Sequence, residues 1–378
     1  MGGKRTLQFY QADVFTNQPF GGNPVAVFPD ADGLSDDELQ QIAREMNLSE
    51  TVFVFPPTDP AAVVKIRIFT PTQEIPFAGH PVIGTFFVLG TLKRVNLLEP
   101  ITRLLQECNL GLFPVEVHSH KGEIDRVVMS QPAPQFLDVV EMPEDLFHIA
   151  RALGINKSLI TETHFPVQVV STGLPVMIVP VRTLTAVRQI VPDVSAVAEL
   201  CQRFGANGMM VFTTMTVEQS SHVHTRMFAP LIGIVEDPAT GSASGALGAY
   251  LVQHGAVDVG EISDITSEQG YEIERPSRIF IRVMSEDDAI QGVTVGGQAV
   301  MLVEGVCRFE RRRVLSARSP ICPRAPPGVG TPLRAGPGAH LAATRRVHYL
   351  RCAWGKWLAG ENGTPQSPCS SWPRYLAF

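Results

Sequence analysis

The chain has 378 residues, 44% hydrophobic and 18% charged, with a formal net charge of −6. That is long enough for two domains with well-filled cores, and too apolar for a disordered chain. No run of about 18 apolar residues occurs, so no membrane helix is expected.

The charge is uneven. Residues 311–378 hold 11 Lys or Arg against one acid, Glu361, together with all three tryptophans. This Pro-, Gly-, Ser- and Arg-rich stretch lacks periodicity and reads as a disordered or atypical basic tail over 307–378. It has no dense Lys/Arg block, so nucleic acid is not an expected partner. Cys108, Cys201, Cys307, Cys322, Cys352 and Cys369 form no CxxC pair, no metal spacing and no disulfide framework. The N-terminus lacks the apolar core of a signal peptide, and a reducing, cytoplasmic setting fits.

In chain order, Leu7–Phe15 alternates as a strand, and Phe20–Pro24 is a turn leading into the strand Val25–Phe28. Ser35-Asp36-Asp37-Glu38 is a capping box opening a helix through about Met46, with Leu39, Ile42, Ala43 and Met46 on one face. Asn47–Glu50 turns into the strand Thr51–Phe55, followed by the strand Lys65–Thr70 and a core helix Pro81–Leu92. Phe113–His118 and Arg126–Ser130 pair around a Lys121-Gly122 turn. Helices follow at Leu146–Leu153 and Val194–Arg203. Strands are expected at Pro166–Ser171, Val176–Pro180, Gly208–Thr213 and His222–Phe228. Ala243–His254 is a second core helix, and Ile279–Val283 and Val293–Val303 close the fold, with the last strand ending near Glu304-Gly305.

The chain says the same thing twice. Arg67-Ile-Phe-Thr-Pro71 runs through a loop ending Gly79-His80 into an apolar helix. Arg226-Met-Phe-Ala-Pro230 runs through a loop ending Asp237-Pro-Ala-Thr-Gly241-Ser242 into another. Gly22-Asn-Pro-Val25 is echoed by Gly173-Leu-Pro-Val176. The repeat predicts an α+β fold of two pseudo-symmetric lobes, each a curled sheet around a central helix, facing one cleft. The expected lobes are 1–125 and 126–306, with the last strand able to return to the first lobe.

Glu50, His80, Asp237 and Ser242 sit at the ends of apolar elements. Singly, each is an ordinary turn or cap residue. Together they flank two helix starts where Gly79 and Gly241 permit close approach to unsatisfied N–H groups, a setting that attracts a carboxylate. A carboxyl group and an imidazole beside a bound anion can move protons. No Walker loop, GxGxxG, HExxH or GxSxG motif is present. A serine-nucleophile role for Ser242 lacks a complete partner set, and His222 and His224 share a strand face without a third metal ligand.

Phe15–Phe28 (with GNPVAVF), Ala43–Val54 (AREMNLSETVFV), Arg67–Thr85 (RIFTPTQEIPFAGHPVIGT) and Phe228–Gly245 (with VEDPATGSASG) closely resemble the PhzF family of phenazine-biosynthesis-like isomerases, over about residues 7–306. The resemblance implies the diaminopimelate-epimerase-like fold, a homodimer and no cofactor. It implies Glu50 as general acid/base, with His80 and Asp237 positioning and protonating the substrate. Ser242, with Gly79, Gly241 and Asn23, would bind it. Fold relatives that racemise amino acids place a cysteine in each helix-entry loop, and neither loop here contains one. The expectation is a cofactor-independent isomerase moving a proton in a small carboxylated metabolite, with no metal. The alternatives are a non-catalytic protein-binding or regulatory member of the fold and a non-cysteine epimerase.

Overall fold

The computed structural model describes residues 4–76, 78–287 and 289–310. Its first half comprises β1 (Lys4–Val14), β2 (Asn23–Phe28), α1 (Asp36–Met46), β3 (Glu50–Phe55), β4 (Val64–Phe69), β5 (Glu74–Ile75), α2 (Gly79–Thr91), β6 (Ile101–Cys108), β7 (Gly111–His120) and β8 (Glu123–Gln131). The second half opens with β9 (Gln135–Val140), α3 (Pro143–Leu153), α4 (Ser158–Thr161), β10 (Val167–Ser171), β11 (Pro175–Pro180), α5 (Leu184–Gln189) and α6 (Val194–Arg203). It continues with β12 (Gly208–Thr213), β13 (Val223–Ala229), β14 (Ile234–Asp237), α7 (Gly241–Gln253), β15 (Ile262–Gln269), β16 (Ser277–Glu286), β17 (Ala289–Gly297) and β18 (Ala299–Glu310).

Among the described residues the eighteen strands form one continuous sheet that curls around two helices. Helix α2 is apolar on nearly every face and almost entirely buried, as is α7, which is what a helix enclosed by sheet requires. Val82, Ile83 and Phe86 of α2 share one core with Leu247, Tyr250 and Leu251 of α7. Helix α1 lies outside. Its capping box is present, with Ser35 N–H donating to Glu38 and Glu38 N–H to Ser35 Oγ. It ends at Asn47, whose positive φ of 51° turns the chain so that β3 can begin at Glu50.

Hydrogen-bond registers make the duplication explicit. β2 runs parallel to β3 with Val25 opposite Glu50, and β11 runs parallel to β12 with Val176 opposite Gly208. β4 runs parallel to β6 with Lys65 opposite Glu107, and β13 runs parallel to β15 with His224 opposite Glu268. β8 pairs with β17 and β18 with β1, so the sheet passes between the halves at both places.

The same polar braces recur. Arg67 grips Glu74 through Nε and Nη2 at 2.8 and 2.6 Å, and Arg226 grips Glu236 at 2.9 and 2.8 Å. Each guanidinium also lies over a phenylalanine, Phe69 or Phe228. Glu107 accepts from the N–H groups of Thr58 and Asp59 and from Lys65 at 2.9 Å. Glu268 accepts from the N–H groups of Val217 and Glu218, and His224 Nδ1 lies 2.8 Å away. The other ring nitrogen of His224 meets Glu272 at 2.9 Å. An imidazole facing acceptors on both nitrogens is held as the cation.

Several expectations change. Both core helices begin two residues early, at Gly79 and Gly241, so their N-caps are Ala78 and Thr240. His80 and Ser242 therefore lie inside the first turn rather than capping it. Val293–Val303 is two strands, broken at Gln298, whose carbonyl accepts from Phe15 N–H. The last strand does not end near Gly305. Leu7 faces Cys307 and Lys4 faces Glu310 on β1, so the alternating Val306-Cys307-Arg308-Phe309-Glu310 continues the strand. The expectation of a disordered tail is thus wrong for residues 307–310, and its remainder, 311–378, lies outside the described residues. Strands β6, β9 and β15 have no sequence counterpart above.

The paired braces differ in burial, which separates their energetic weight. The Arg226 and Glu236 side chains are 6% and 11% exposed, against 21% and 26% for Arg67 and Glu74. Arg226 also donates to the carbonyls of Val187 and Ile190. Arg226→Ala should cost about 3–5 kcal/mol in denaturant unfolding, and Arg67→Ala about 1 kcal/mol. Equal losses would contradict the burial argument.

The carboxylates raise the His224 pKa against the opposing effect of burial. Its stabilising contribution is fully present below its ordinary 6.5 and is lost as pH rises through the raised value. His224→Lys, copying Lys65, should gain stability relative to the parent as pH increases above 6.5. A pH-independent difference between the two proteins in that range would refute the assignment.

Candidate active site

The site forms where α2 and α7 begin. A Cβ built on Gly79 would lie 3.2 Å from Ser242 N and 3.3 Å from Gly241 Cα, so the two helix starts touch. A side chain at 79 would press on the α7 start, and one at 241 would meet the Phe15 ring, 3.0 Å from its Cβ. Each start presents first-turn N–H groups that a helix leaves without internal partners, and each carries the positive end of its dipole. Such a pair of ends suits one carboxylate.

Glu50 opens β3, His80 is the second residue of α2, and Asp237 ends β14 ahead of α7. The structure brings all three together and buries them, at 7%, 5% and 7% exposure. His80 Nε2 lies 3.2 Å from Glu50 Oε2, but the contact is not aligned as a hydrogen bond, and both atoms are buried without a partner. Ser242 is half-buried on the α7 start, and its carbonyl accepts from Thr172 Oγ1 at 3.3 Å. Asn23 reaches the site through Asp237 instead of presenting a free amide donor. Its Nδ2 donates to Asp237 Oδ1 and to the Ala239 carbonyl, both at 2.9 Å, leaving only Oδ1 unpartnered.

Burial dominates the electrostatics. It pushes the Glu50 carboxyl up to about 8, with the charge of Asp237 adding to the effect. Burial likewise lowers His80 to about 3, keeping the imidazole neutral. Asp237 is raised to about 6, because burial outweighs the hydrogen bonds from Thr240 and Asn23 that favour its anion. No cationic side chain acts on any of the three. Burial thus favours the neutral forms of Glu50 and His80, and Asp237, with two donors, gives up its proton more readily than Glu50.

The mirror of Glu50 in the second half is Gly208, where a Cβ would come within 2.5 Å of Met227 Cε and 2.7 Å of the Phe228 carbonyl oxygen. That position has no space for an opposing carboxyl group. A cavity of about 550 Å³ between Thr16–Gly21 and Pro276–Phe280 includes none of the site side chains. Among the described residues no cluster of His, Cys, Asp and Glu is arranged to hold a metal. His222 Nδ1 accepts from Thr266 N–H, and the His224 ring is occupied by its two carboxylates.

Sequence reading missed four residues. Thr240 donates to Asp237 Oδ2 at 2.5 Å, and Gln269 bonds to both ends of the Asp237–Thr240 loop. Gln131 donates to the Gly241 carbonyl and accepts from Thr172. Thr240 lies within the Val235–Gly245 stretch. Gln269, Gln131 and Thr172 arrive from distant strands with no local signal.

The Glu50 shift has a consequence for folding. With a folded pKa of about 8 against an ordinary 4.5, its contribution to stability is fully present below pH 4.5 and is lost as pH rises to 8. Glu50→Gln should match the parent at pH 4.5 and exceed it by on the order of a few kcal/mol above pH 8. Parallel pH–stability curves for the two proteins would show that Glu50 is not desolvated.

Residues 12–305 match the family described as phenazine biosynthesis-like protein, PhzC-PhzF. The chain is 36% identical over 297 residues to trans-2,3-dihydro-3-hydroxyanthranilate isomerase from Pseudomonas aeruginosa, covering 78% of this chain and 96% of that one. A PhzF-family phenazine biosynthesis protein from Bacillus anthracis superposes with a TM-score of 0.73 at 28% identity, covering 80% of this chain and 99% of that one. A hydroxyproline epimerase from Agrobacterium vitis shares the fold, with a TM-score of 0.56 at 15% identity over 82% of this chain and 94% of that one. Among the described residues no helix is long and apolar enough to cross a membrane. With its duplicated halves and paired helix starts, the chain belongs to the PhzC-PhzF family of phenazine biosynthesis-like proteins and is an isomerase.

Proposed function

We propose that this isomerase moves a proton between two positions of a small carboxylated metabolite, with Glu50 as the group that removes and returns it. The observation that carries the reading is the buried Glu50 carboxyl, with one oxygen unpartnered, beside the abutting starts of α2 and α7. The N–H groups of the Gly79–His80 and Gly241–Ser242 turns bind the substrate carboxylate, and Gly79 and Gly241 let it approach the backbone. The naming of a relative as an isomerase of a dihydro-hydroxyanthranilate, a carboxylic acid, supports this substrate class.

In the ionised form Glu50 takes a proton from a C–H bond. The electron pair left on carbon moves into the adjoining unsaturated system, and the double bond shifts. The Glu50 carboxyl then returns the proton at the new carbanionic position. A pKa near 8 makes Glu50 a stronger base than an ordinary carboxylate and a ready acid after the transfer. Neutral His80, with Nε2 3.2 Å from Oε2, lies against the carboxyl without fixing its charge. Two copies of the chain forming a homodimer, with no cofactor, complete the proposal.

Glu50→Gln should lower turnover and solvent-deuterium incorporation by roughly 10²–10⁴-fold while leaving carboxylate binding within a few-fold. In the parent, kcat/KM should rise with pH and level off above about 8, as the free enzyme's Glu50 ionises. Full activity in Glu50→Gln, or a flat profile between pH 6 and 9, would remove Glu50 from the mechanism.

A further inference from the structure

The two carboxyl groups of the site are equally buried yet differently surrounded. Glu50 Oε2 has no donor. Both oxygens of Asp237 have one, from Asn23 Nδ2 at 2.9 Å and Thr240 Oγ1 at 2.5 Å. The hydrogen bonds behind these donors leave little freedom. Gln269 is fully buried, and its amide orientation is fixed at both ends: Nε2 donates to the Asp237 carbonyl at 2.7 Å, and Oε1 accepts from Thr240 N–H at 3.2 Å. The same Nε2 donates to Thr240 Oγ1 at 3.1 Å. A hydroxyl that receives a hydrogen from one side must turn its own hydrogen elsewhere, here toward Asp237 Oδ2. Asn23 is fixed in the same manner, since its second amide hydrogen goes to the Ala239 carbonyl. Each oxygen of Asp237 therefore receives a donor that is held in place, and both donors favour the anion over the acid.

We propose that Thr240 and Gln269 are positioning residues that hold Asp237 as an acceptor-only carboxylate, so that Asp237 carries the negative charge of the site and Glu50 the mobile proton. The assignment rests on the reading of Glu50 as the proton carrier. The repeat supports it independently. In the first half the residue equivalent to Asp237 is Ile75, opposite Ile68 as Asp237 is opposite Met227. The residue equivalent to Gln269 is Cys108, one beyond Glu107 as Gln269 is one beyond Glu268. The clamp occurs only in the half that has an aspartate to clamp. β15 is well placed to carry it, because the adjoining Glu268 is braced by His224 and two backbone N–H groups.

The test is a carboxyl ¹³C NMR titration of the full chain labelled at Asp and Glu side-chain carboxyls. Asp237→Asn and Glu50→Gln identify the two signals. In Thr240→Val the proton affinity of Asp237 should rise about tenfold or more, since a charge-assisted donor is lost. Thr240→Ser should restore the Asp237 midpoint. Gln269→Met, which leaves the Thr240 hydroxyl free to rotate, should shift it in the same direction by less. A parental Asp237 midpoint in folded Thr240→Val would overturn the proposal, as would a Thr240→Ser protein that titrates like Thr240→Val. The titration needs no turnover, so an active Glu50→Gln enzyme would sink the proton-transfer reading and leave this result readable.

Discussion

Two helices that start against one another impose the main constraint on this molecule. Each start carries roughly half a positive charge and a set of unpaired N–H groups. Bringing two such ends into contact at Gly79 and Gly241 is unfavourable unless something negative lies beside them. Asp237 supplies part of that compensation from the strand leading into α7, although its carboxylate is already committed to Asn23 and Thr240. The remaining demand is for a mobile anion. The curled sheet encloses both helices and keeps the ends from separating, so the energy of sheet and core is coupled to the affinity of the cleft.

Duplication explains how this arrangement is built, and divergence explains how it works. The supporting parts are retained in both halves: an arginine bidentate to a glutamate over a phenylalanine ring, and a glutamate tying a loop backbone to a cation on the next strand. The chemical parts differ. Glu50 faces Gly208 across the repeat, Asp237 replaces Ile75, and Gln269 replaces Cys108. A symmetric pair of bases would suit a substrate deprotonated on one face and reprotonated on the other. One carboxyl in a duplicated frame suits a proton that leaves and returns through the same group.

Much of this is visible in the primary structure. Arg67-Ile-Phe and Arg226-Met-Phe reveal the duplication because packing and pairing require the same residue types twice. The Ser35–Glu38 capping box locates α1 because its partners are three residues apart. Glu50, His80 and Asp237 stand out as polar residues at the ends of apolar runs, and the fold buries them together. The failures share a cause. β6 and β15 bury Gln106, Glu107, Ser267, Glu268 and Gln269, so the alternation that marks a strand is absent where it braces loops. The true helix starts are hidden because neither Ala78 nor Thr240 makes a side-chain cap; the Thr240 hydroxyl turns back to Asp237 instead. The reach of Gln269 to Thr240 spans 29 residues and depends on register that no local pattern encodes.

A cleft holding three titratable side chains without a Lys or Arg is costly to bury, and its composition shows how the cost is limited. A cationic partner would pull the Glu50 pKa down and make it a permanent, weak base. A second ionised carboxylate beside Asp237 is disfavoured in so dry a site, and Glu50 accordingly holds its proton up to about pH 8. Leaving Glu50 protonated and His80 neutral avoids both, and the negative charge is confined to Asp237, whose two oxygens are already bonded to donors. Fixed dipoles on one side and a single unpartnered carboxyl on the other make the two sides of the site chemically unlike.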